Sequence, residues 1–550
     1  MKVVGGVAAL LVALVGIALL VRFVVSRPDA PDTEVAATDD EVLEEEDAGP
    51  GSTLEVETPA GRLRGVARRG AATFRNIPYA LPPLGDARFR PPVRAPRTEH
   101  TIDATHAGPL CPQLSIRRDE GEGGAPRAVI GDEDCLHLDV WTHLDGTARP
   151  VMVYFHGGSF QHGGLGARLP LHASAVVQQG EIVLVEVSYR LGALGFLAHP
   201  ALAAENGGAT GNDGIRDQIV ALEWIRDNIA ALGGDPTRVT IVGDGSGGES
   251  VCALIASPLA DGLYARAIAA SPGGCSAWRT LNEGIDGRLS GYARGGQIVE
   301  AAGCGNAPDV ASCLRVADLE RLVRAGARGE RHLTVPTFGP VIDGVVIPET
   351  AAARLRRGDV HVPLLVGTDA QVAPALPHVA DANYDRAIGV IAAPRGAEAL
   401  AIWPRSIAAD APSAFQRAAG EMYYVCPAEE LARAATEGGS TAYVYLFRRH
   451  PQSPLGDRVG AFRGIELAYL FAPDGEVASR FPDDLAVSQT MRASWTSFVT
   501  SGAPTTSPAW PAYALGAPAI FVIDAPSVVA ADVSEGRCRR AREAGLSFPF

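Results

Sequence analysis

The residues best placed to do chemistry lie in a glycine-rich turn, Gly243-Asp244-Gly245-Ser246-Gly247-Gly248, which follows the apolar run VTIVG (239–243). A hydroxyl on such a turn could attack an acyl carbon, provided that a histidine took its proton and a carboxylate oriented that histidine. Ser246 is the hydroxyl that this turn offers. Asp369 is a candidate carboxylate, and the twelve histidines include His156 and His450, both read as structural. The chain has no Walker-type phosphate loop and no His/Cys cluster at zinc spacing, so neither a metal nor a cofactor is expected.

These residues need a scaffold, and the pattern around them supplies one. VMVYFH (151–156) and IVLVEVSYR (182–190) are short, β-branched apolar runs that end in turns. Between Asp213 and Leu232 the apolar positions Ile215, Ile219, Leu222, Ile225, Ile229 and Leu232 recur at steps of three and four, one face of an amphipathic helix. GGDP then stops the helix, and VTIVG reads as a buried strand. Strand, helix, strand, sharp turn and helix in this order predict an α/β fold, a mostly parallel sheet with helices on both faces. Such sheets carry their sites at the carboxyl ends of the strands.

Composition narrows the setting. The chain has 550 residues, 47% of them hydrophobic, and a net charge of −15, which disfavours nucleic-acid partners. Lys2 is the sole lysine, so arginine carries almost all positive charge. Val3 to Val21 is a 19-residue run without a charge, long enough as a helix to match a bilayer core of roughly 30 Å. Residues 1–27 are therefore expected to be a membrane anchor, or else a cleaved signal segment. Asp29 to Asp47 holds ten acidic and no basic residues, so residues 28–52 read as a solvated, self-repelling linker. Residues 53–550 read as one domain outside the cytoplasm. Eight cysteines agree with export. Cys111 and Cys135 flank one loop and Cys304 and Cys313 another; spacing alone leaves the connectivity open. Cys252, in an apolar stretch, is expected to be a buried thiol.

Long motifs through the body carry a resemblance. FRNIPYALPPLGDARFRPP (74–92), EDCLHLDVW (133–141), YFHGGSF (154–160), VSYRLGALGFL (187–197), GNDGIRDQIVALEWIRDNIAALGGDPTRVTIVG (211–243), FGPVIDGVVIP (338–348) and GAFRGIE (460–466) stand in the order found in one family. The chain resembles the type-B carboxylesterases and cholinesterases of the α/β-hydrolase fold. The resemblance implies disulfides Cys111–Cys135 and Cys304–Cys313. It supplies no partner for Cys426, because Arg492 lies where that partner usually stands.

The resemblance also implies a Ser-His-Glu triad, and there the chain departs from the pattern. The family elbow is Gly-x-Ser-x-Gly-Gly; here Gly245 takes the nucleophile position. The family base stands in Gly-Ala-x-His-Gly-x-Glu; here the residue is Arg463, which cannot act as a base. The family acid stands in Gly-Thr-Asn-x-x-Glu-Gly; here it is Val372. No catalytic residue is intact at Gly245, Val372 or Arg463. The oxyanion-hole positions map to the backbone N–H groups of Gly158, Ser159 and Ser246 and remain small.

The expected protein is therefore a pseudoenzyme: membrane-tethered, non-catalytic, and built for adhesion, binding or ligand sensing. Family members without a triad, such as neuroligin and neurotactin, are surface adhesion proteins, and the chain resembles them in layout. Its expected partner is a protein or a small acyl or anionic ligand. Arg463 could bind such an anion beside the old oxyanion donors, or it could pair with Asp244 or Glu466 and plug the site. The alternatives are an ester hydrolase using Ser246, or a scaffold that pairs with an active relative.

Overall fold

The computed structural model describes residues 51–68, 71–115, 128–164, 173–273, 275, 278–285, 288–327, 338–371, 379–450, 461, 464–471 and 484–546. The apolar run 3–21 and the acidic linker lie outside the described residues. Among the described residues no helix is long and apolar enough to cross a membrane.

The amino-terminal strands are β1 (Ser52–Thr58), β2 (Gly61–Arg68), β3 (Ala71–Pro78) and β4 (Ile102–Asp103). A separate ribbon pairs β5 (Gln113–Leu114) with β6 (Val129–Ile130). Then come β7 (His137–Thr142), β8 (Arg149–Phe155), β9 (Val183–Val187), β10 (Gly234–Asp244) and β11 (Arg266–Ala270). β12 (Leu364–Asp369), β13 (Ala442–Phe447), β14 (Ile520–Ile523) and β15 (Val528–Ala530) complete the set.

Thirteen strands form one mixed sheet in the order β1-β2-β3-β7-β9-β8-β10-β11-β12-β13-β14-β15, with β4 beside β2. From β9 to β14 every neighbour is parallel. The flanks are antiparallel hairpins and meanders. The parallel centre has a physical cause. Every residue of β8 and β9 is buried, as a strand covered on both faces requires. Two apolar cores lie on the two faces of the sheet, one built around Val151, Val153, Val185 and Ile241, the other around Met152, Leu184, Val242 and Ile268.

The amphipathic pattern at Asp213 folds as predicted, with one refinement. The α-helix spans Asp213–Asn228, and Ile229–Leu232 tighten into a 3-10 turn that ends at Gly233 with φ 79°. Asp217 on this helix fixes the loop after β9. Its carboxylate accepts from Arg190 Nε at 2.8 Å, from the second guanidinium nitrogen at 2.7 Å and from the Arg190 backbone N–H at 3.0 Å. Both side chains are buried, and the fork geometry satisfies the carboxylate on both oxygens.

Four disulfides form, and all eight cysteines are paired. Cys111–Cys135 and Cys304–Cys313 match the resemblance. Two expectations are corrected. Cys252 is not a buried thiol but pairs with Cys275, which the loop after β11 brings back onto the helix carrying Cys252. Cys426 has a partner after all, Cys538, 112 residues away on the helix Arg537–Glu543. Arg492 sits instead in the helix Leu485–Ser501, where it donates to Ser488 Oγ at 2.8 Å. Four disulfides point to an oxidising compartment for the body.

Candidate functional site

β10 ends at Asp244, the chain reverses through Gly245, and the helix Ser246–Ala256 begins at once. The turn is possible because no side chain stands between strand and helix. A Cβ on Gly243 would lie 2.3 Å from the Gly247 carbonyl carbon, and one on Gly247 would lie 2.0 Å from the Phe155 carbonyl oxygen. Gly245 itself has φ 52° and ψ −117°, a region that side-chain-bearing residues enter only under strain. Its N–H donates to the Ala270 carbonyl at 2.9 Å. The elbow thus has a backbone conformation that suits glycine, and Gly245 brings no hydroxyl to it.

One prediction follows from that backbone. Gly245→Ser and Gly245→Ala should each lose about 1–3 kcal/mol of stability, because a Cβ pays the strain that glycine avoids. A lower denaturant midpoint in both variants is the expected reading; unchanged midpoints would mean that the turn relaxes around the new side chain.

The loop after β8 also keeps unusual backbone. Gly158, Ser159 and Phe160 have φ of 134°, 58° and 54°. A Cβ on Gly158 would fall 1.8 Å from the His162 carbonyl oxygen, so glycine is required there. Among the described residues no hydrogen bond uses the N–H of Gly158 or Ser159. Ser246 is 4% exposed, and among the described residues its Oγ has no hydrogen-bond partner. Its hydroxyl therefore meets no histidine. His156 is structural: its ring stacks on Tyr189 at 4.5 Å and its Nδ1 lies 3.0 Å from the Gly157 carbonyl, while Tyr189 donates to the His156 carbonyl at 2.6 Å. His450 lies in the loop after β13.

Beside the elbow the structure gathers carboxyl groups. Asp244 Oδ1 accepts from the Tyr154 hydroxyl at 2.6 Å and from the Gly157 N–H at 3.2 Å. Asp369, at the end of β12, accepts the Gly464 N–H on Oδ2 at 2.8 Å. Glu466, in the first turn of the helix Ile465–Phe471, accepts the same N–H at 3.1 Å. Ser271, with φ 47°, donates to Asp369 Oδ2 at 3.4 Å. Asp369 Oδ1 and Glu466 Oε1 have no hydrogen-bond partner when both groups are counted as acceptors. Burial, followed by the charge of Glu466, holds the Asp369 carboxyl well above the usual carboxylate range. Burial raises Glu466 as well, and its hydrogen bond with Asp369 opposes the rise. Two carboxyl groups that share one amide donor in a buried space disfavour carrying both charges at once.

The structure thus brings together Gly245, Asp244, Ser246, Gly158 and Ser159 with Asp369 and Glu466. Val372 and Arg463 lie outside the described residues. Sequence reasoning misses the surroundings Tyr154, Ser271 and Tyr445, the last a buried residue of β13 whose ring lies against Gly367. Each comes from a different strand end, and a left-handed serine has no local signature. Among the described residues no group of three His, Cys, Asp or Glu side chains is arranged to hold a metal.

A sharp strand-elbow-helix turn at the carboxyl edge of a parallel sheet, facing a loop of left-handed residues, defines an α/β-hydrolase framework. The model of the carboxylesterase family matches residues 52–376 and 404–540, and the chain belongs to that family. It is similar to fumonisin B1 esterase of Sphingopyxis macrogoltabida, 33% identical with 83% of this chain and 84% of that protein covered. It is 30% identical to para-nitrobenzyl esterase of Bacillus subtilis, covering 83% of this chain and 92% of that protein. It is also 29% identical to neuroligin-2 of Mus musculus, covering 82% of this chain but 60% of that protein. A solved PNB esterase superposes with a TM-score of 0.76 at 28% identity, over 89% of this chain and 99% of that one.

Proposed function

We propose that this is an exported, membrane-tethered carboxylesterase relative that binds and does not hydrolyse. The observation that carries the reading is Gly245: the elbow retains the attacking residue's backbone conformation and lacks its oxygen. The sequence adds Val372 and Arg463 at the acid and base positions. The similarity to neuroligin-2 supports a protein partner, and the esterase relatives keep ester hydrolysis as the alternative. A hydrolase using Ser246 is disfavoured because that hydroxyl is buried without a partner to take its proton. A scaffold role beside an active relative shares the same inactive centre.

Of the two roles for Arg463, the counter-ion is the one taken here. Asp244 and Glu466 are buried around Gly464, the next residue in the chain, and acidic groups packed there disfavour an entering anion. The binding face then lies outside the old gorge. Thermal melting of the full chain with acetate, succinate and fatty acids tests this. The expected result is no rise in melting temperature at saturating anion, since a ligand held by the folded state alone would raise it. A dose-dependent rise, lost in Arg463→Gln, would instead make the gorge an anion sensor.

A further inference from the structure

The carboxyl groups at the silent site do more than fill it. Gly464 N–H is shared between Asp369 Oδ2 at 2.8 Å and Glu466 Oε2 at 3.1 Å, so one amide ties the end of β12 to the start of the helix Ile465–Phe471. The other oxygen of each group is buried and unbonded unless a proton lies between them. An independent observation points into the same space. Tyr445, on β13, is 1% exposed, and its hydroxyl has no hydrogen-bond partner. Its ring lies against Gly367, where a Cβ would come within 2.2 Å of it, and its hydroxyl feels the charges of Glu466, Asp369 and Asp244. Buried polar atoms are rarely left unsatisfied, and among the described residues Asp369, Glu466, Tyr445 and Ser246, from four separate elements, each carry one such oxygen.

We propose that Gly464 and the helix after it are latched to β12 by one proton held between Asp369 and Glu466, and that the latch loosens as the solution becomes alkaline. This holds whether or not the protein proves to be a binding protein. The groups facing the pair are Asp244 from β10, Tyr154 from β8 through Asp244, Ser271 after β11, Thr368 on β12 and Tyr445 from β13. None of these described neighbours is a cation. Arg463, which precedes Gly464, is the cation that the chain itself places nearest in sequence.

The sign follows from linkage. Both carboxyls bind their proton more tightly in the closed loop than in water. Their stabilising contribution is complete below the ordinary carboxylate range, near pH 4, and is lost as the pH rises through the raised values. Tyr445 cannot compensate by ionising, because burial and the same carboxylates push its own ionisation well up.

Hydrogen exchange on the full chain tests the latch, with protection of peptides covering 464–471 corrected for the intrinsic pH dependence of exchange. Protection in the native sequence should fall at least about tenfold between pH 5 and pH 9, since each unit of pKa difference between closed and open loop is a factor of ten. Asp369→Asn and Glu466→Gln should each flatten that decline to within about twofold, because a carboxamide can donate without titrating. A pH-independent native protection would overturn the latch on its own, even if neither variant folds. Variants that keep the native decline would overturn it too, as would an equal decline in peptides from β8 and β10, which would report global unfolding.

Discussion

Incubated with short acyl nitrophenyl esters, the full chain should release nitrophenol at or near the rate of buffer alone. An elbow without a hydroxyl forms no acyl-enzyme, and loss of a complete triad typically removes about 10⁶ in kcat. Oxyanion donors and binding can leave only a small residue of the original acceleration. Ser246→Ala should change nothing, because that hydroxyl is buried with no base in contact. Gly245→Ser alone should also stay silent, since it restores the oxygen but neither the proton acceptor nor its orienting acid. Gly245→Ser combined with Val372→Glu and Arg463→His is the variant expected to hydrolyse. The backbone at these positions is already left-handed: the elbow holds φ 52°, and Gly158 and Ser159 in the loop after β8 hold φ of 134° and 58°. Substantial native turnover that Ser246→Ala abolishes would defeat the reading of a silent centre.

The second large effect concerns the disulfide that the sequence hid. Replacing Cys426 and Cys538 together by alanine should cost about 4–5 kcal/mol if the chain-entropy model holds, because the bond closes a loop of 112 residues. Replacing Cys304 and Cys313 should cost about 2–3 kcal/mol, because that loop spans 9. The ranking is the test, read as denaturant midpoints of the two double variants. Equal losses, or a larger loss at Cys304–Cys313, would mean that the long-range bond adds little beyond its surroundings. Those surroundings are substantial. Arg537, beside Cys538, forks onto Glu421 with two contacts of 2.6 Å, and Trp403 donates to the same carboxylate at 2.8 Å. The bond therefore joins elements that a buried ion pair already holds in register.

The two disulfide corrections show where local reading stops. Cys111–Cys135 and Cys304–Cys313 staple neighbouring segments, so their motifs carried them. Cys252 looks like a core residue because its helix is buried throughout. Only the return of the chain after β11 places Cys275 against it. Cys538 becomes the partner of Cys426 through the packing of the last described helix, and no spacing within either segment encodes that distance.

The primary structure alone carries the reading of a silent centre. A glycine has no side-chain hydroxyl, a valine no charge and an arginine no basic lone pair, whatever fold surrounds them, and periodicity sufficed to place the strand and helix that flank the turn. Tertiary structure decided how the emptied centre is filled. Asp244, Asp369, Glu466 and Tyr445 come from four separate elements, and whether carboxyls so far apart along the chain share a proton depends on the low-dielectric space between them, which exists only once the sheet has assembled.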